Sequence, residues 1–146
     1  MAAATAAAAF TVALVVYGLW PEENGRPVAW SDLTQRVGPL AVPRETRQLF
    51  RSRSQLDRYL RRLGSNQSPT VDFERRQLLF VSPGPRSSTG YVLQVEDVRD
   101  KDGQIVVTVR EQTPGLDDRV VARVTFPYRL LSLPAGKDVY VDWKGR

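Results

Sequence analysis

Carboxylates and hydroxyls are the residues best placed to do chemistry in this sequence, because it contains no histidine and no cysteine. That composition excludes a Cys/His zinc site, a thiol nucleophile, a haem histidine ligand and a Ser-His-Asp triad. The acids come in close sets: Glu96-Asp97, Asp100-Lys101-Asp102 and Asp117-Asp118. Paired carboxylates can hydrolyse glycosides or hold a hard cation. Asp100–Gly103 has Asp at alternate positions but lacks the later ligands of a calcium loop, so it reads as a hairpin tip. An enzyme would rest on scattered acids such as Asp97 and Asp118 alone. The expectation is therefore a non-enzymatic protein with no catalytic residue, no metal site and no cofactor.

The most distinctive string is Ser87-Ser88-Thr89-Gly90-Tyr91, which follows Pro83-Gly84-Pro85 and feeds into a strand pattern. Its hydroxyls have no histidine to activate them. A Pro/Gly-stiffened loop ending on an aromatic residue is suited to presenting backbone groups to a partner, with little entropy to lose on binding. The expected protein-binding residues are Gly84, Pro85, Ser87, Ser88, Thr89, Gly90 and Tyr91, with Pro127 and Tyr128 beside them.

Charge is the second signal. The 21 Lys+Arg against 16 Asp+Glu give +5, and Arg44, Arg47, Arg51, Arg53, Arg58, Arg61 and Arg62 crowd one stretch with only Glu45 and Asp57 among them. Such a cluster suits anionic lipid headgroups or an acidic partner, or it is a solvated helix face. Nucleic acid is disfavoured, since no recognisable binding motif accompanies the charge.

The elements that must position these residues follow from periodicity. Residues 2–20 carry no charged side chain. As a helix they would span roughly 28 Å, close to the hydrocarbon thickness of a bilayer. No basic residues precede this run and no small-residue cleavage site follows it, so residues 1–20 read as an uncleaved anchor rather than a signal segment. Residues 21–29 read as a linker and 30–146 as one domain, expected on the extracytoplasmic side of the membrane, or secreted if the segment is cleaved. Strands are expected at Trp30–Val37, Thr46–Ser52, Gln77–Ser82, Tyr91–Glu96, Ile105–Arg110, Val120–Phe126, Leu130–Leu133 and Val139–Trp143, with Val71–Phe73 a short extended piece. Asp102-Gly103 marks a hairpin turn. Leu78-Leu79-Phe80-Val81 reads as a strand buried on both faces.

One amphipathic helix is expected over Ser54–Leu63, on the stripe Leu56, Tyr59, Leu60 and Leu63. Ser54 would cap it, Asp57 would complete a capping box, and Gly64 would stop it. The fold class is mostly β: an antiparallel sandwich or partly open barrel of about seven strands, with the helix covering one side.

Ser88-Thr89-Gly90-Tyr91, the strand Val92–Val98, the Lys101–Gly103 turn, Ile105–Glu111, Pro114-Gly115 and Thr125-Phe126-Pro127-Tyr128 together resemble the C-terminal domain of the PrcB family. In that family a Thr-Gly-Gly-Tyr-like turn opens a hairpin and a Pro-Tyr step precedes the last strands; here Thr89 directly precedes Gly90. The family is named for an accessory component of a bacterial surface protease complex. The resemblance implies an exported lipoprotein or membrane-anchored β-rich domain that binds protein and has no catalytic residues to carry over. The Pro85–Tyr91 loop is also similar to the Asn-Pro-Thr-Thr-Gly-Tyr loop of chagasin-type cysteine-protease inhibitors. Phe126-Pro127-Tyr128 falls roughly where those proteins have an Arg-Pro-Trp loop. That second resemblance implies an inhibitor of papain-like cysteine proteases acting through Pro85–Tyr91.

Overall fold

The structure is a computed structural model that describes residues 24–145. The expected membrane segment, residues 1–20, lies outside the described residues. Among those described, no helix is long and apolar enough to cross a membrane.

Eight strands form two four-stranded sheets. One, the outer sheet, contains β1 (Arg26–Pro27), β5 (Val92–Lys101), β6 (Gln104–Gln112) and β8 (Asp138–Lys144), hydrogen-bonded in that order. The other, the central sheet, has the order β2 (Ser31–Asp32), β7 (Arg129–Pro134), β4 (Arg76–Ser82) and β3 (Thr46–Phe50). Short helix α1 spans Thr34–Val37 and α2 spans Arg53–Arg62.

The arrangement is a three-layer stack, not a closed barrel. Alternation along β4 sends Leu78 and Phe80 to one side and Leu79 and Val81 to the other. Leu78, Phe80 and Leu130 pack under Leu56 and Leu60 of α2, together with Leu33, Val37, Leu40 and Val42 from the chain around α1. Leu79, Val81, Leu131 and Leu133 pack against Leu93, Val98, Ile105, Val107 and Val109 of the outer sheet. An unbroken apolar run in β4 is what a strand covered on both faces requires.

All pairings are antiparallel except β6 with β8, where Gln104 pairs with Asp138 and Arg110 with Lys144 in parallel register. The chain leaves β7 in the central sheet, turns at Ala135–Lys137 and joins the outer sheet. Changing sheets lets the strand lie beside β6 in the same direction without a helical crossover. The β5–β6 hairpin turns on Asp102 and Gly103, both at positive φ (52° and 84°), as a two-residue primed turn demands. The register shifts between Val95 and Asp97, leaving Glu96 as a bulge. That extra residue moves the inward phase from Leu93 and Val95 to Val98.

Several local expectations change. Trp30–Val37 is not one strand: it splits into β2 and α1, because Asp32 accepts from the Thr34 amide at 2.9 Å and turns the chain into a helix. Val71–Phe73 is part of a turn, in which the Arg75 and Arg76 amides donate to the Asp72 carbonyl. Val120–Phe126 forms no strand. Its valines are solvent-exposed, and only Thr125 makes a β-bridge, to Arg86. The α2 cap is Ser52, not Ser54: Ser52 Oγ accepts from the Gln55 amide at 3.4 Å, and Gln55 reaches back to the Arg51 amide at 2.9 Å. Asp57 thus lies in the middle of the helix. Gly64 (φ 82°) stops α2 as expected, its amide donating to Arg61 while that of Ser65 donates to Leu60. Residues 26–28, within the stretch read as a linker, lie against β5, with the Val28 amide donating to Val98.

Candidate functional site

The register places the sequence-predicted loop at a defined end of the stack. β4 ends at Ser82 beside Thr46, and β5 starts at Val92 beside Gln112, so residues 83–91 and 113–128 emerge together. Arg26 pairs with Asp100, next to the hairpin turn. The chain therefore enters the domain at the opposite end from these loops.

The two loops are tied into one unit. The Arg86 amide donates to Thr125 at 2.8 Å, and the Thr125 amide donates back to Arg86 at 2.9 Å. Thr89 donates to Val121 at 3.0 Å, and the Val121 amide donates to Thr89 Oγ1 at 2.9 Å. Thr125 Oγ1 donates to the Ser88 carbonyl at 2.8 Å. The Arg86 guanidinium anchors this unit with two bonds to Glu111, Nε to Oε2 at 2.8 Å and Nη2 to Oε1 at 2.9 Å. It also donates to the Pro83 and Pro85 carbonyls and lies 5.9 Å from the Tyr91 ring centroid. A planar fork able to serve a carboxylate and two carbonyls at once is particular to arginine.

Two glycines permit the close approach. Gly84 (φ +83°) would place a Cβ 2.9 Å from the Arg44–Glu45 backbone, and Gly90 (φ +95°) one 2.9 Å from Pro114 and 3.1 Å from Val120.

The expected contact residues divide by burial. Pro85, Ser87 and Gly90 are exposed, Ser88, Thr89, Tyr91 and Pro127 are half-buried, and Gly84 and Tyr128 are buried. Tyr128 is part of the core. It stacks on Phe80 with centroids 5.0 Å apart, and its hydroxyl donates to the Gly38 and Thr34 carbonyls. Tyr91, Phe126 and Pro127 line a shallow groove of about 310 Å³ whose far wall is Gln35, Gly38 and Pro39.

Sequence reading missed the exposed apolar surface of the second loop. Leu116 is fully exposed, and Val120, Val121 and Val124 are 44%, 60% and 61% exposed. These four account for most of the large apolar side chains exposed among the described residues. Their alternation reads as a half-buried strand, and nothing local reveals that no second strand pairs with it.

The acids read as candidates for catalysis are engaged in ordinary contacts. Asp97 pairs with Arg99, Glu96 with Arg110 and Asp100 with Lys137, while Asp118 accepts from the Gly115 amide. The Lys137 ammonium holds the Asp100 carboxyl below its ordinary range.

Burial pushes the Tyr128 hydroxyl up to about 12, with the Asp32 charge adding to the effect. The neutral phenol is thus favoured by the fold. Its contribution is complete below about pH 10, the unfolded value, and is lost as pH rises through the folded value. Alkaline spectrophotometric titration should show late phenol ionisation, to which Tyr59, also raised by burial, contributes, coincident with loss of tertiary structure. Tyr128→Phe should reduce the amplitude of that late step by one phenol. A wild-type chain whose phenols all titrate near pH 10 would contradict the burial.

A three-layer stack of two β-sheets and a helix, with a braced pair of loops at one end, defines a small β-rich domain. A family model described as PrcB C-terminal matches residues 78–134, from within β4 to the end of β7. No curated protein and no solved structure matches the chain.

Proposed function

We propose that the chain is a non-enzymatic, envelope-located accessory subunit that binds a protein partner through the loop pair 84–91 and 113–127. The observation that carries this reading is the concentration of exposed apolar side chains at Leu116, Val120, Val121 and Val124 on the loop that is hydrogen-bonded to residues 86–89. Contiguous exposed apolar surface bordered by polar groups is characteristic of protein contact sites. The bracing by Arg86 and Thr125 supports it, because a surface already held in one conformation loses little entropy on binding. The loops lie at the end of the stack away from the chain's entry. A protease-containing assembly is the partner class suggested by the family's name.

The test compares affinity capture by the full-length wild-type chain and by a Val120→Ser/Val121→Ser/Val124→Ser variant from detergent extracts of the native host. Side chains exposed this far contribute little to folding, so thermal stability should change by no more than about 0.5 kcal/mol per site. Recovery of a stoichiometric partner should fall at least about tenfold, since truncated apolar anchors at an interface typically cost more than 1 kcal/mol each. Undiminished recovery by the variant would defeat the proposed surface. Stoichiometric inhibition of papain by the wild-type chain, abolished by Gly90→Trp, would instead favour the inhibitor reading.

A further inference from the structure

The arginine cluster becomes a surface feature once α2 is placed. Arg53, Arg58, Arg61 and Arg62 are exposed on the helix, whose opposite side buries Leu56 and Leu60. Arg44 lies beside them: Tyr59 feels the charges of both Arg62 and Arg44, and the Arg62 guanidinium is 5.9 Å from its ring centroid. None of these five arginines forms an ion pair among the described residues, whereas Arg47, Arg51, Arg75, Arg86, Arg99, Arg110 and Arg129 all do. Asp57 is the one acid on the helix, and Glu45 is engaged by Arg47. The outcome is a strip of guanidinium groups without ion-pair partners among the described residues, along one side of the stack.

The start of that strip lies near the chain's entry. Arg51, just before α2, reaches Asp138, and the neighbouring Lys137 binds Asp100, which pairs in register with Arg26 of β1. Only residues 21–25 separate β1 from the uncharged stretch 2–20. Five extended residues reach about 17 Å, so a bilayer holding that stretch would lie within roughly this distance of the domain.

We propose that the exposed face of α2, with Arg44 beside it, is a docking surface for an anionic lipid bilayer. The arginines are spread over the whole length of α2, from Arg53 to Arg62, about 15 Å of helix, which suits a plane of headgroups more than a single anionic ligand. The cluster offers no row of exposed aromatics on which nucleic-acid bases could stack. Each basic residue held near an anionic membrane strengthens attachment about fivefold, and the effect fades beyond a Debye length.

The absence of cysteine makes engineered labels unique. Full-length chain carrying Ser54→Cys on α2, or Gln94→Cys on the outer sheet on the far side of the stack, would be labelled with a fluorophore. It would then be reconstituted in vesicles bearing a headgroup quencher. Phosphatidylcholine vesicles with and without phosphatidylglycerol give the comparison, so that any insertion of residues 2–20 is common to both arms. The label at position 54 should be quenched only in the anionic vesicles, and high salt should release it. Arg58→Glu/Arg61→Glu/Arg62→Glu should weaken the anionic-dependent attachment about 100-fold, while the matching triple lysine variant retains it. Equal quenching in both vesicle types, quenching at position 94 as strong as at 54, or binding to polyglutamate without any response to anionic vesicles would overturn the lipid assignment. The salt and lysine arms decide the matter even if the charge-reversed chain fails to fold.

Discussion

Phe80→Ala is expected to cost about 3–5 kcal/mol, the range for removing a fully buried aromatic side chain. Phe80 is 0% exposed and sits at the middle of β4, in the layer between the central sheet and α2. It touches two rings, Tyr59 edge-on at 5.1 Å and Tyr128 stacked at 5.0 Å. Truncation removes both contacts and opens a cavity that β4, paired on both sides, cannot close by moving. A domain of this size typically has 5–15 kcal/mol of stability, so the loss is a large part of the total. Urea denaturation should show a lower midpoint with an unchanged slope. Phe80→Leu, which keeps more of the volume, should lose much less. An alanine variant that loses under about 1 kcal/mol would mean that α2 does not pack on the central sheet as described.

Arg86→Ala is expected to lose about 2–3 kcal/mol and to release the two loops from each other. Breaking a buried ion pair by removing one partner costs about 3–5 kcal/mol because the other charge stays behind. Here the side chains of Arg86 and Glu111 are 21% and 15% exposed, and residual solvation moderates the loss. The variant also leaves the Pro83 and Pro85 carbonyls without their donor. The discriminating measurement is a double-mutant cycle with Glu111→Ala. The double variant should be less destabilised than the sum of the singles by more than about 1 kcal/mol. Amide exchange should rise at Arg86, Thr89 and Thr125, the donors that hold the loops together, and stay unchanged in β6. Arg86→Lys should not rescue the pair, because an ammonium cannot make the bidentate contact. Additive losses would show that Arg86 and Glu111 act separately.

These two variants also separate stability from function. Phe80→Ala weakens the whole fold, whereas Arg86→Ala disturbs the surface proposed to meet a partner. If partner capture falls with Arg86→Ala at a temperature where the domain stays folded, the bracing of the loops matters for binding. If it falls only when the domain melts, the braced geometry is not what the partner reads.

Much of the fold is legible from local pattern. The β5–β6 hairpin follows from alternation on either side of Asp102-Gly103, and β4 from an apolar run too dense for a half-exposed strand. The α2 stop at Gly64 follows from its freedom to adopt positive φ. The helix cap lies two residues before the expected Ser54, because several serines compete within one turn and only backbone direction decides which side chain meets an amide. Residues 120–126 illustrate the opposite limit. Their alternation is real, but a strand exists only when another strand supplies the hydrogen bonds, and here Thr125 alone finds one.

The loop 84–91 could be recognised as distinctive from its glycines, prolines and hydroxyls, and the strings around it resemble the family whose model matches residues 78–134. Composition by itself also determined which chemistries are closed to a chain without histidine or cysteine. Tertiary structure alone decided that Tyr128 belongs to the core while Val121 and Val124 face solvent, although valine is as apolar as any core residue. It also decided that Arg86 meets Glu111 across 25 positions and that β8 runs parallel to β6. The physical reason is range. Turn chemistry and side-chain period act over a few residues and are written in the order of the chain. Burial, ion pairing and strand partnership depend on which distant segments share the same space.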